Sequence, residues 1–187
     1  MKHQLLLLIL LCGYLQGYSQ KVAISVNALP AIDKAFSGSI SYALDNKNTV
    51  DLTGYLRPWK RSENYVNRYW IIQPEYKYWL CQKFNGSFIG AYLNGGQFNV
   101  GGKKLPFGLF SPLKENRYEG WLTGAGVSYG YHWMLNSHWN IETSIGVGYE
   151  FIRYKQYDCE ECAKLKNKGK HHYIGPSKAA ISLIYIF

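Results

Sequence analysis

The chain has 187 residues and a formal charge of +9, with 47% hydrophobic, 17% aromatic and only 18% charged side chains. Six Trp, 17 Tyr and 8 Phe in a chain of one-domain size supply enough apolar surface to fold, which excludes intrinsic disorder. The longest unbroken apolar run, Leu5 to Leu11, is seven residues against the roughly 20 that a membrane-spanning helix needs, which excludes such a helix.

The first segment reads as a secretory signal peptide over 1–19. Met1 and Lys2 give a positive end and Leu5–Leu11 an apolar stretch, while Gly17 and Ser19 place small residues three and one before a cut ahead of Gln20. Cys12 follows Leu11, where lipoprotein processing wants a small side chain, so lipidation is not expected. Cleavage removes one base, Lys2, and no acid, leaving a domain over 20–187 of 168 residues and charge +8, exported to an oxidising compartment.

From Val22 onward the pattern has period two, the signature of strands with two chemically different faces. Phe36, Ile40, Tyr42 and Leu44 oppose Ser37, Ser39 and Ser41. Trp121, Thr123, Ala125, Val127, Tyr129, Tyr131 and Trp133 oppose glycines, Ser128 and His132. Trp139 through Phe151 alternate with Asn140, Glu142, Ser144, Gly146, Gly148 and Glu150, and Ala179, Ile181, Leu183, Tyr185 and Phe187 alternate with Lys178, Ala180 and Ser182. Eight strands are predicted, over 21–29, 35–44, 48–58, 68–81, 86–100, 118–134, 138–154 and 178–187. The fifth is ambiguous, because Ile89, Ala91 and Leu93 compete with Phe88, Tyr92 and Phe98 for its apolar face. No helical period follows the leader, so the chain is all-β.

The connections alternate in length. Asp45–Lys47, Gln82–Asn85 and Leu135–Ser137 are tight, whereas 30–34, 59–67, 101–117 and 155–177 are longer, as in an outer-membrane barrel with periplasmic turns and extracellular loops. A soluble barrel keeps its bulk inside. Here one face is large and aromatic and the other mostly Gly, Ser, Asn, Glu and Lys, which suits the narrow lumen of eight strands if the small face points inward. Trp59, Trp70, Trp79, Trp121, Trp133 and Trp139 fall near strand ends, where membrane-interface girdles form. Leu183, Tyr185 and Phe187 resemble the assembly signal by which the barrel assembly machinery receives its clients. The expected fold is therefore an eight-stranded antiparallel transmembrane up-and-down β-barrel in the outer membrane of a Gram-negative bacterium, with periplasmic termini. A soluble sandwich or periplasmic ligand-binding barrel, with the aromatic face as core, is the competing architecture.

Stretches of the chain carry a resemblance. They are Ile72-Gln73-Pro74-Glu75-Tyr76-Lys77-Tyr78-Trp79-Leu80-Cys81, Phe88-Ile89-Gly90 with Gly95 through Gly102, Gly124 through Tyr131, Ile145-Gly146-Val147-Gly148-Tyr149, and Tyr173 through Tyr185. Together they resemble the DUF3575 family of Bacteroidetes outer-membrane β-barrel proteins. The resemblance implies a barrel without established catalytic residues, whose genes are sometimes found near those for surface fimbriae, and hence a fimbrial or other surface protein as partner.

Candidate sites follow from the pattern. Asp51, Arg57, Glu75, Lys77, Glu142, Glu150 and Arg153 are expected to form a paired polar network in the lumen, because isolated charges there would cost several kcal/mol. Cys159 and Cys162 form a C-x-x-C in the last loop, followed by His171 and His172. A local disulfide is favoured over free thiols and over metal, since adjacent histidines in an extended loop point apart. Cys81 is expected to be a packed thiol. Lys60, Arg61, Lys103, Lys104, Lys114, Arg117, Lys164, Lys166, Lys168 and Lys170 make the loops basic, suited to the phosphates and acidic sugars of lipopolysaccharide among the outer-membrane lipids, or to an acidic partner. No nucleic acid and no cofactor are expected. His171, His172, Ser177 and Glu150 at the outer rim leave a lipid-modifying enzyme as a rival to a structural or surface-interaction role, whereas His132 and His138 belong to the opposite end.

Overall fold

The computed structural model describes residues 21–58, 66–101, 117–157 and 165–187. The chain forms β1 (Val22–Asn27), a 3-10 turn (Leu29–Asp33), β2 (Phe36–Ala43), β3 (Asn48–Arg57), β4 (Val66–Trp79), β5 (Gly86–Gly101), β6 (Arg117–Met134), β7 (Trp139–Tyr157) and β8 (Leu165–Ile186). Each strand pairs antiparallel with the next, and β1 pairs with β8, so the sheet closes into an up-and-down barrel. The segment over 1–19 expected to be a signal peptide, with Trp59, Lys60, Arg61, Lys103, Lys104, Lys114, Cys159, Cys162 and Lys164, lies outside the described residues.

Following cross-strand partners once around the ring, from Leu183 through Val26, Gly38, Gly54, Ile72, Gly95, Thr123 and Phe151, returns to β8 at His172, eleven residues away. Ser177 accounts for one of these, because Gly146 pairs with Lys178 and Val147 with Pro176, leaving a bulge between them. A stagger of about ten residues over eight strands, at about 3.3 Å per residue and 4.8 Å between strands, tilts the strands by about 40°.

The bulge also corrects the last strand, which starts at Leu165 rather than 178, while β7 runs on to Tyr157. Most of the expected loop over 155–177 is therefore ladder. The extra residue flips the in-out alternation at Ser177, Pro176 offers no N–H, and Lys166, Lys168, Lys170 and Gly169 carry no strand-like apolar signal.

The tight ends have local causes. In the 44–47 turn the Asp45 carboxylate accepts from Lys47 N (2.7 Å), Asn48 N (2.9 Å) and Asn48 Nδ2 (2.7 Å). The Asn48 side chain, then the Lys47 backbone, hold its pKa below the ordinary carboxylate value. Asn136 does the same at 135–138, its Oδ1 accepting from His138 N (3.0 Å) and Trp139 N (2.7 Å). In the 80–85 turn Phe84 takes a left-handed backbone (φ 59°), which a bulky side chain adopts only at a cost. Its burial against Trp79, with ring centroids 5.9 Å apart, offsets that cost.

Polarity is inverted relative to a soluble domain. Ile24, Ile40, Leu52, Ile72, Tyr76, Ile89, Leu93, Val127, Tyr129, Ile145, Val147, Ile181 and Leu183 are exposed, whereas Asp51, Gln73, Glu75, Lys77, Ser128, Glu142 and Ser182 are buried. On β5 it is Ile89, Ala91 and Leu93 that face out, while Phe88 and Tyr92 fill the lumen opposite glycines. A Cβ at Gly130 would overlap the Phe88 ring and lie 2.7 Å from the Thr143 carbonyl, whereas one at Gly54 would meet nothing within 4 Å. Gly130→Ala should therefore cost about 1–3 kcal/mol by overpacking and Gly54→Ala less than about 0.5, read as the shift in the denaturant midpoint of the refolded protein.

Candidate functional site

The inward side chains fall into three zones along the barrel axis. At the end holding the short turns, Ala23, Ala43, Trp79, Phe84, Phe88, Ile184 and Ile186 form an apolar plug. Trp79 lies 4.9 Å from Phe88 and 5.5 Å from His132 by ring centroids, and its Nε1 donates to Thr49 Oγ1 at 3.1 Å. Trp79 thus belongs to the interior and not to the expected girdle, because it shares the inward parity of Glu75 and Lys77 on β4.

The middle zone is ionic. Lys77 Nζ lies 2.6 Å from Asp51 Oδ2 and donates to both oxygens of Glu142 at 2.9 and 3.0 Å. Glu75 accepts from Lys178 Nζ and from Ser128 Oγ. Lys77 also sits 4.5 Å above the Phe88 ring, and His132 Nδ1 is 3.6 Å from Glu142. The residual void among Asp51, Tyr55, Glu75, Lys77, Glu142 and Lys178 is about 20 Å³, room for one water, so this zone is packed rather than open. One level above, Glu150 accepts from Asn94 Nδ2, and Tyr92 hydrogen-bonds Ser177.

The third zone is open. A cavity of about 1060 Å³ occupies the wide end, walled by β3 to β8, with Arg57, Tyr69, Phe98 and Tyr154 at inward positions. Arg57 is ion-paired with Asp33 of the 3-10 turn, and Asn67 Nδ2 donates to Asp33 at 3.2 Å, which ties that turn to the wall.

Of the residues expected in the lumen, Asp51, Arg57, Glu75, Lys77, Glu142 and Glu150 are buried inside. Arg153 is not. It shares the outward parity of Phe151, and its guanidinium lies 5.3 Å from the Trp121 ring and 5.4 Å from that of Phe151. Lys178, Ser128 and His132 belong to the network although charge alone did not single them out. The alternation that places Ser182 inward also points Lys178 and Ala180 inward, and was the available signal. Cys81 is exposed in the 80–85 turn, not packed, because β4 ends at Trp79. Arg117 pairs with Glu119 at 3.2 Å, and Lys166, Lys168 and Lys170 are exposed on β8 rather than in a loop.

The rim residues considered for catalysis are not brought together. His172 Nδ1 bonds the Tyr149 hydroxyl on the outer face, Ser177 bonds Tyr92 and Glu150 bonds Asn94 inside. His171 and His172, as neighbours on a strand, face opposite sides. Leu183 points outward, and Tyr185 stacks edge-on between Trp139 and Phe187 at 5.1 Å from each.

A family model described as a protein of unknown function, DUF3575, matches residues 5–187. No curated protein and no solved structure matches the chain.

Proposed function

The chain belongs to the DUF3575 family, and we propose that it is an outer-membrane β-barrel with both termini on the periplasmic side, serving a structural or cell-surface interaction role. The observation that carries this reading is the outward face of β6. Trp121 and Trp133 bound an exposed run containing Ala125, Val127, Tyr129 and Tyr131. The two tryptophans are twelve residues apart, about 40 Å of strand, which at the tilt of about 40° spans about 30 Å along the axis. That is the hydrocarbon thickness of a bilayer. On β7 the run from Trp139 to Phe151 has the same length, so the aromatic ends form two girdles.

Inside this band the barrel is filled by the Lys77 and Glu75 clusters and closed by the Trp79 plug, which suits a rigid scaffold more than a conduit. The end opposite the short turns holds the cavity and the basic rim, and a surface role is assigned to that end.

The test is fractionation together with gel mobility. The protein expressed in its native envelope should sediment with outer membranes, and unheated samples should migrate differently from boiled ones because the closed barrel resists detergent. Recovery wholly in the soluble periplasmic fraction, with one mobility, would overturn the reading in favour of a soluble ligand-binding barrel.

A further inference from the structure

Just beyond the aromatic girdle at the wide end, the outward face turns cationic. On β7, Phe151 is followed by Arg153 and Lys155. On β8, His172 is followed toward the same end by Lys170 and Lys168, and on β6 Trp121 is followed by Glu119 and Arg117. Successive outward positions are about 5 Å apart along the barrel axis at this tilt, so the cations occupy about the first 10 Å outside the apolar band.

Their pairing is unusual for a ladder. Arg153 stands directly across from Lys170, and Lys155 directly across from Lys168. Like charges at opposed positions on one face repel and destabilise the pair. Among the described residues the carboxylate adjoining them, Glu119, stands across from Lys155 but is ion-paired with Arg117 at 3.2 Å. Arg153 is held against Trp121 and Phe151, at 5.3 and 5.4 Å from their rings, so part of its side-chain entropy is already lost. Four opposed cations, one of them pre-oriented, form a site whose repulsion is relieved when multivalent anions sit between them.

We propose that Arg153, Lys155, Lys168 and Lys170 bind the phosphate groups of lipopolysaccharide in the outer leaflet. This rests on the membrane reading above and adds the partner to it. The girdle sets the height. Acyl chains lie against the apolar band below Trp121, Phe151 and His172, and phosphates attached at the headgroup meet the cations immediately beyond. A guanidinium offers phosphate two parallel N–H donors, and the three ammonium groups add point charges.

The test uses the refolded full chain in three kinds of vesicle: phosphatidylcholine alone, phosphatidylcholine with lipopolysaccharide, and phosphatidylcholine with dephosphorylated lipopolysaccharide. The readout is the rate of loss of the folded gel form on heating. Lipopolysaccharide should slow unfolding by about tenfold, and removing its phosphates should abolish the effect. The Arg153→Gln, Lys155→Gln, Lys168→Gln, Lys170→Gln variant should fold normally in phosphatidylcholine but respond to lipopolysaccharide less than about twofold. A Lys47→Gln, Lys83→Gln control at the opposite end should respond like the native chain. Equal rates for the native chain in all three vesicles would overturn the site while leaving the barrel reading intact, since insertion itself is scored in phosphatidylcholine. Failure to insert in any vesicle would remove the membrane reading and this site with it. Slowing by polyglutamate equal to that by lipopolysaccharide would overturn the lipid assignment in favour of an acidic protein.

Discussion

Replacing Lys77 by Met should destabilise the folded barrel by about 3–5 kcal/mol, the loss expected when one partner of a buried ionic cluster is removed and the others remain charged. Lys77 is buried at the centre of the lumen, 2.6 Å from Asp51 and within 3.0 Å of both Glu142 oxygens. Methionine keeps most of its volume, so the defect is one of charge rather than of a cavity. Asp51 and Glu142 would then face each other across a lumen with room for about one water, and neither could be rehydrated without opening the wall. Adding Asp51→Asn and Glu142→Gln should recover most of the loss, because a neutral lumen of the same shape carries no uncompensated charge. Urea titration in micelles, followed by tryptophan fluorescence, measures both. A Lys77→Met effect below about 1 kcal/mol, or a triple variant no better than the single, would show that this cluster does not hold the interior together.

How much of this was legible depended on whether alternation survived locally. Strands β2, β3, β6 and β7 alternate cleanly, and their observed bounds lie within about three residues of those expected, as cap-less strand ends usually do. The inward placement of Asp51, Glu142 and Glu150 follows from that parity, and that of Glu75 and Lys77 from the local alternation of β4 over 72–79. Arg153, expected in the lumen, instead faces outward because it shares the parity of Tyr149 and Phe151. The upper half of β8 was lost because Ser177 interrupts the period and lysines replace apolar residues above the band. The inward rings of Phe88 and Tyr92 had a subtler signal. Gly126, Gly130 and Gly146 all lie at inward positions, and small residues on a narrow inner wall imply large ones reaching across from a neighbouring strand. Tracing which strand supplies those rings needs the register, which no single strand specifies.

The same inversion of polarity yields the substitution that separates a membrane barrel from a soluble one. Ile145 is 70% exposed and lies midway between Trp139 and Phe151 on the outward face of β7. In water, Ile145→Arg on so exposed a site should change stability by less than about 0.5 kcal/mol, since it breaks no packing and buries no charge. At the midplane of a bilayer the same guanidinium must be drawn out of solvent or thin the lipid around it, at a cost of about 2–4 kcal/mol. Arg153, on the same face but beyond Phe151, already carries a guanidinium, which shows that the backbone and neighbouring strands tolerate one there. The comparison of Ile145→Arg with Ile145→Gln in vesicles and in denaturant therefore isolates desolvation from shape. A penalty of at least about 2 kcal/mol for Arg over Gln in vesicles is the expected result. Equal stability of the two would mean that the apolar face of β7 meets water or protein, and would turn the surface now assigned to lipid into one that must be covered by a partner.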